Sequence, residues 1–165
     1  MSKKQKAISI LLTFIALSAI VFMILVVSSS DSEIEYGEFV PPKFDENSVT
    51  GEPDVPENSG YSLMNISDEY NIYVCGKLKL KDDNVDVYFT SDFNNSVWTK
   101  LQVLDNSNNI IGETGVIKPG EYVKSVTLNS EIQKDESVKL KVVGYEPETY
   151  HRAGSASMNT TIEVE

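Results

Sequence analysis

Residues 7–27 form an unbroken run of 21 uncharged residues rich in Ile, Leu, Val and Phe, with Lys6 before it and Asp31 and Glu33 after it. At 1.5 Å of rise per residue a helix of that length covers roughly 30 Å, the thickness of a bilayer's hydrocarbon core. The run therefore predicts a transmembrane helix over residues 7–28. Lys3, Lys4 and Lys6 all precede it, so the positive-inside rule keeps a basic tail, residues 1–6, in the cytoplasm and sends the rest of the chain outward. A secretory signal has an apolar core of only about 7 to 15 residues. This one is longer and apolar to its end, which predicts an uncleaved single-pass anchor in the cell membrane. No cysteine ends the run, so lipid anchoring is not expected.

Beyond the anchor the composition changes twice. Residues 29–60 read as an acidic linker, with nine acids, one lysine and four prolines between residues 31 and 60. Such a stretch lacks the apolar surface to fold alone and is expected to be a disordered spacer. Tyr36, Phe39 and Phe44 within it could dock on a partner. From residue 61 onward, short alternating runs rich in Val, Ile, Thr, Tyr and Leu are separated by Asn, Asp, Gly and Pro clusters, the pattern of strands and turns.

In the first of these runs Ile72, Val74, Leu78 and Leu80 share one face, while Tyr73, Cys75, Lys77 and Lys79 share the other. The next places Val85, Val87 and Phe89 inward after the turn Asp82-Asp83-Asn84. A third, residues 97–104, carries the only tryptophan, Trp98, and leads into a hairpin turning at residues 105–109. Pro119-Gly120 suits the centre of a type II turn before a strand over residues 122–128. Strands follow at residues 138–145 and 158–164. Seven strands from residue 72 onward, with no amphipathic helix, predict an all-β, seven-stranded antiparallel sandwich of immunoglobulin or fibronectin III type over residues 61–165.

The strand order, Trp98 in the third strand and the KPGEYVKSVTL turn and strand resemble the immunoglobulin-like ectodomains of small bacterial surface proteins. The whole chain resembles membrane-anchored proteins of low-GC Gram-positive bacteria, some carried on conjugative elements. A single cysteine departs from true immunoglobulin domains, because it cannot form their disulfide between sheets. The resemblance implies a fold and an envelope location, and no chemistry.

The residues themselves argue against catalysis. One histidine, His151, is the only base of its kind for a serine or cysteine nucleophile, and neither a GxSxG elbow nor an activating context around Cys75 is present. One Cys and one His cannot supply a zinc site, and no cofactor is expected. Asp82, Asp83, Asn84 and Asp86, and Asp105, Asn106, Asn108 and Asn109, offer oxygen ligands for calcium, but turn chemistry accounts for them. Beyond the membrane run 11 bases face 25 acids, a net −14 that repels nucleic acid.

What remains is recognition by a non-enzymatic interaction module. The loop joining the last two strands gathers Tyr145, Tyr150, His151 and Arg152, residue types common at interface hot spots, and these are the expected partner-binding residues. The expected partner is another protein of the envelope or of a secretion or conjugation assembly. The alternatives are a carbohydrate- or cell-wall-binding module, in which Tyr88, Tyr122 or Trp98 stacks on sugar rings, and a structural surface protein. Trp98 reads more readily as core than as a sugar platform.

Overall fold

A computed structural model describes Gln5, Ser18 and Met23, all helical, and residues 40–67, 70–130, 132 and 136–164. The chain divides into two compact units, Met1–Val40 and Pro41–Glu165. The expected transmembrane helix lies, but for Ser18 and Met23, outside the described residues, as do residues 29–39. Among the described residues no helix is long and apolar enough to cross a membrane.

The second unit is all-β among its described residues. Its strands are β1 (Val49–Thr50), β2 (Ser62–Ser67), β3 (Tyr70–Val74), β4 (Leu78–Lys81), β5 (Asn84–Ser91), β6 (Trp98–Leu104), β7 (Ile110–Glu113), β8 (Glu121–Thr127), β9 (Glu136–Tyr145) and β10 (Arg152–Val164). They form one hydrogen-bonded path in the order β1-β8-β5-β4-β10-β9-β6-β7, with β3 also on β5 and β2 on β3. The pairings are antiparallel except that of β10 with β4.

The sheet curls because each strand has one apolar face to hide. Val85, Val87 and Phe89 of β5 have no exposed surface. They join Val123 and Val126 of β8, Leu101 and Val103 of β6, and Val138, Leu140 and Val142 of β9 in one hydrophobic cluster. Each such side chain contributes about 1.5–3 kcal/mol on burial, which drives the two halves of the sheet together. Turn chemistry fixes the connections. Asp82 and Asp83 both have positive φ (49° and 63°), as a two-residue type I′ hairpin between β4 and β5 requires. Gly120 has φ 77° and Glu121 N–H donates to Lys118 O at 3.1 Å, completing the expected Pro119-Gly120 turn.

Three features depart from the sequence reading. Ten strands stand among the described residues where seven were expected: β1 and β2 are additional, and the run over residues 72–80 is two strands. The run breaks because Gly60 and Gly76 bring two backbones together. Gly76 N–H donates to Gly60 O (3.1 Å) and Lys77 N–H to Ser59 O (2.9 Å), and a Cβ on Gly76 would lie 3.3 Å from Gly60 O. Past the break β4 moves on to pair with β10, and Cys75, grouped above with Tyr73, Lys77 and Lys79 opposite the apolar face, is in the core at 1% exposure.

The third correction concerns the linker. Residues 41–60 belong to the domain as a strap across it. Val116 N–H donates to Lys43 O (2.8 Å), Asp45 N–H to Val116 O (2.9 Å) and Gly51 N–H to Gly120 O (2.9 Å), and β1 adds to the edge of β8. The strap has no core of its own, so its composition resembles a spacer. Its order comes from backbone groups far along the chain.

Candidate functional site

Of the four residues singled out around the β9–β10 loop, three gather on one face and His151 stands apart. The loop is tight: Glu146 N–H donates to His151 O (2.8 Å), Tyr150 N–H to Glu146 O (3.0 Å), and Glu148 and Tyr150 have positive φ. This geometry carries Tyr150 back onto Trp98, ring centroids 5.3 Å apart and edge to face. Tyr145 lies directly opposite Trp98 in the β6–β9 ladder, so the two share the outer face. Arg152, directly opposite Tyr145 in the β9–β10 ladder, stands exposed on that same face, whereas His151 projects into solvent. His151 Nδ1 is 3.9 Å from Glu146 Oε2, with its side chain 80% exposed.

The strap completes this patch. Phe44 meets Trp98 edge to face at 4.9 Å, and Lys118 Nζ sits 4.8 Å over the Phe44 ring. Trp98 is therefore half-buried on the outside of the sheet, clamped between two rings, rather than a core residue.

A second, larger feature was not foreseen. Leu63, Tyr73, Thr90, Tyr122 and Val49 stand in one row across β2, β3, β5, β8 and β1 and share the outer face of that half of the sheet. Over this row opens a groove of about 680 Å³, lined by Thr50, Glu52, Pro53, Tyr61, Tyr73 and Phe93 among others. One wall is the strap with its Gly51–Gly120 hydrogen bond. The other is a stacked pair, Tyr61 on Tyr73, 5.6 Å apart and 23° from parallel. Phe93, 78% exposed, stands on the loop after β5.

Polar groups on the floor are paired. The Tyr61 hydroxyl donates to Thr90 Oγ1 at 2.7 Å, and Thr90 Oγ1 donates to Tyr88 O at 3.1 Å. Burial pushes the Tyr61 phenol above the ordinary tyrosine value; the Thr90 hydrogen bond opposes this, and the Glu52 charge adds to it. A raised folded-state value favours the neutral phenol in the fold, so its contribution is complete below about pH 10 and is lost as pH rises through the folded value. In a spectrophotometric titration Tyr61 is expected to ionise late, so Tyr61→Phe lowers the amplitude of the late phase by one tyrosine. Loss of a different phase would place the buried phenol elsewhere.

The groups weighed from the sequence are engaged locally among the described residues. Burial raises the Cys75 thiol, only partly offset by a hydrogen bond with Ser59, so it stays protonated and unreactive. Asp105 spends its oxygens inside its own turn, accepting from Ser107 N–H, Asn109 N–H and Asn109 Nδ2. The Asn109 bonds hold its carboxyl below the usual range. Among the described residues no three His, Cys, Asp or Glu side chains converge as a metal site needs.

Of the tyrosines proposed to stack on sugars, Tyr88 is buried at 6% exposure, and Tyr122 is half-buried in β8. The groove's own aromatics come from three separate segments, and the only hint of them in the sequence is that Tyr73 falls on the wet face of its strand.

No protein family model matches the chain, and no curated protein matches it. Among solved structures it is similar to the crystal structure of CopC from Methylosinus trichosporium OB3b, at 14% identity and a TM-score of 0.36, over 64% of this chain and 95% of that one.

Proposed function

We propose that the chain is a membrane-tethered, non-enzymatic binding module that faces outward from the cell and takes a glycan of the envelope in the tyrosine groove. The observation that carries this reading is the Tyr61–Tyr73 stack lining an open groove of about 680 Å³ that also bears the exposed Phe93 ring. That volume lies in the range of small-molecule and oligomer subsites, about 300–1,000 Å³. Aromatic faces suit the C–H face of a sugar ring, and the open ends of a groove suit a polymer. The finer fold reading is an immunoglobulin-like sandwich of seven strands, β3-β5-β8 against β7-β6-β9-β10, to which β1, β2 and β4 are added.

A second reading, docking of an envelope protein, is favoured by the Phe44–Trp98–Tyr150 patch with Lys118 and Arg152 beside it. One experiment separates the two. The full chain in detergent micelles is incubated with purified cell wall and pelleted. Tyr73→Ala and Phe93→Ala are each expected to weaken pelleting about tenfold, the size of one lost aromatic contact, whereas Tyr150→Ala leaves it unchanged. Phe93 is so exposed that its loss barely changes stability. Pelleting that survives both groove changes, or is absent from the outset, rules out the glycan reading. Sensitivity to Tyr150→Ala alone moves the binding surface to the Trp98 patch.

A further inference from the structure

Resting on the glycan reading, we infer that the groove prefers a sugar polymer bearing free amino groups over its N-acetylated or acidic counterparts. The ionisable side chains lining it are two tyrosines and two acids, Glu52 from the strap and Asp92 from the loop after β5. Neither acid forms an ion pair among the described residues. Asp92 Oδ1 accepts from Asn94 N and Nδ2, which fixes the carboxylate in place, while the Glu52 charge is felt at the Tyr61 hydroxyl. The two acids therefore flank the aromatic wall from different elements.

Among the described residues no lysine or arginine lines the groove. The nearest in sequence are directed elsewhere: Lys118, beside Pro119, lies over Phe44, and Lys124 lies 5.8 Å from the centre of the Tyr88 ring. Glu121, next to Gly120, accepts from Lys118 N–H and adds a further negative group at that turn. A pyranose stacked on Tyr73 would hold a ring substituent near these carboxylates. An ammonium there gains an ion pair and a cation–π contact with tyrosine. A carboxylate or phosphate meets two like charges in a partly desolvated groove. An acetamide gains neither effect and binds by stacking alone.

The test uses the full chain in neutral detergent micelles at pH 6. Calorimetric affinities are measured for an oligomer of glucosamine, the same oligomer fully N-acetylated, and an oligogalacturonate. The amino oligomer is expected to bind about tenfold tighter than the acetylated one, with no binding of the acidic one. Glu52→Gln combined with Asp92→Asn brings the affinity ratio of the first two to about one. Asp82→Asn with Asp83→Asn, an equal charge change on the β4–β5 hairpin, leaves the preference intact. Equal or tighter binding of the acetylated oligomer overturns the inference and leaves the glycan reading standing. A preference lost equally in the hairpin variant is an effect of net charge and also overturns it. Binding of none of the three by folded protein removes the glycan reading and the inference together.

Discussion

Gly144→Ala is expected to destabilise the domain by about 3 kcal/mol, at the upper end for overpacking by one methyl group. Gly144 is buried in β9, and a Cβ there would lie 2.8 Å from Tyr70 Cε1 and Cζ and 2.9 Å from its hydroxyl. Tyr70 cannot give way. Its ring is 2% exposed within the core, and its hydroxyl donates to Gly154 O of β10 at 3.1 Å. Gly154 itself has φ 107°, so the acceptor is fixed by a backbone conformation that side chains other than hydrogen rarely adopt.

Chemical denaturation of Gly144→Ala, Tyr70→Leu and the double variant would measure this. Tyr70→Leu shortens the ring and opens room for the methyl, so the double variant should be more stable than the sum of the two single losses predicts. Strict additivity would show that the ring is not what excludes the Cβ.

The parts of the molecule that sequence exposes are those whose order is local. The inward set Val85, Val87 and Phe89 and the turns at Asp82-Asp83 and Pro119-Gly120 follow from period-two alternation and from φ preferences, both written within a few residues. The hairpin over residues 105–109 is of the same kind, closed by Asp105 accepting from Ser107 and Asn109.

What stayed hidden depends on distant partners. Cys75 faces inward only because residues 59 and 60 supply the hydrogen bonds that a neighbouring strand would otherwise give to residues 76 and 77. The strap looks like a spacer because its apolar content is low, and nothing in its own residues announces that Val116 and β8 will order it. The groove compounds both effects, since one wall is strap and the other is a tyrosine pair drawn from either side of β2. His151 was grouped with the tyrosines by proximity in sequence, and the tight loop turns it away to solvent, whereas Arg152 stays with them as the ladder partner of Tyr145.

Because the strap forms a groove wall, loosening it should weaken binding as well as cost stability, and Gly115→Ala is the change that loosens it at residues 43–45. A Cβ on Gly115 would lie 2.5 Å from Asp45 Cα and 2.7 Å from Phe44 C, contacts with backbone that no side-chain rotation relieves. Gly115 N–H also donates to Asp45 Oδ2 at 2.6 Å, so the methyl group removes that charged hydrogen bond along with the two backbone bonds joining Lys43, Asp45 and Val116. At roughly 1 kcal/mol for each backbone bond and about 1.5–3 for the charged one, the local loss is about 3–5 kcal/mol.

The core cluster contains no strap residue among its fully buried members, so β5, β6, β8 and β9 should remain folded while the strap lifts. Trp98 then loses Phe44 from one of its faces, and its fluorescence should shift toward that of a solvated indole. Limited proteolysis should cut within residues 41–60 at a protease dose that spares the original protein, and ligand pelleting should fall by more than the tenfold expected for Tyr73→Ala. Asp45→Ala, which removes the carboxylate without adding a clash, should give the same signs at smaller amplitude. A Gly115→Ala protein with unchanged Trp98 emission and an intact strap would mean that Gly115 does not hold the 43–45 segment in place, and that the β1–β8 pairing and the Gly51–Gly120 hydrogen bond hold the groove's strap wall without it.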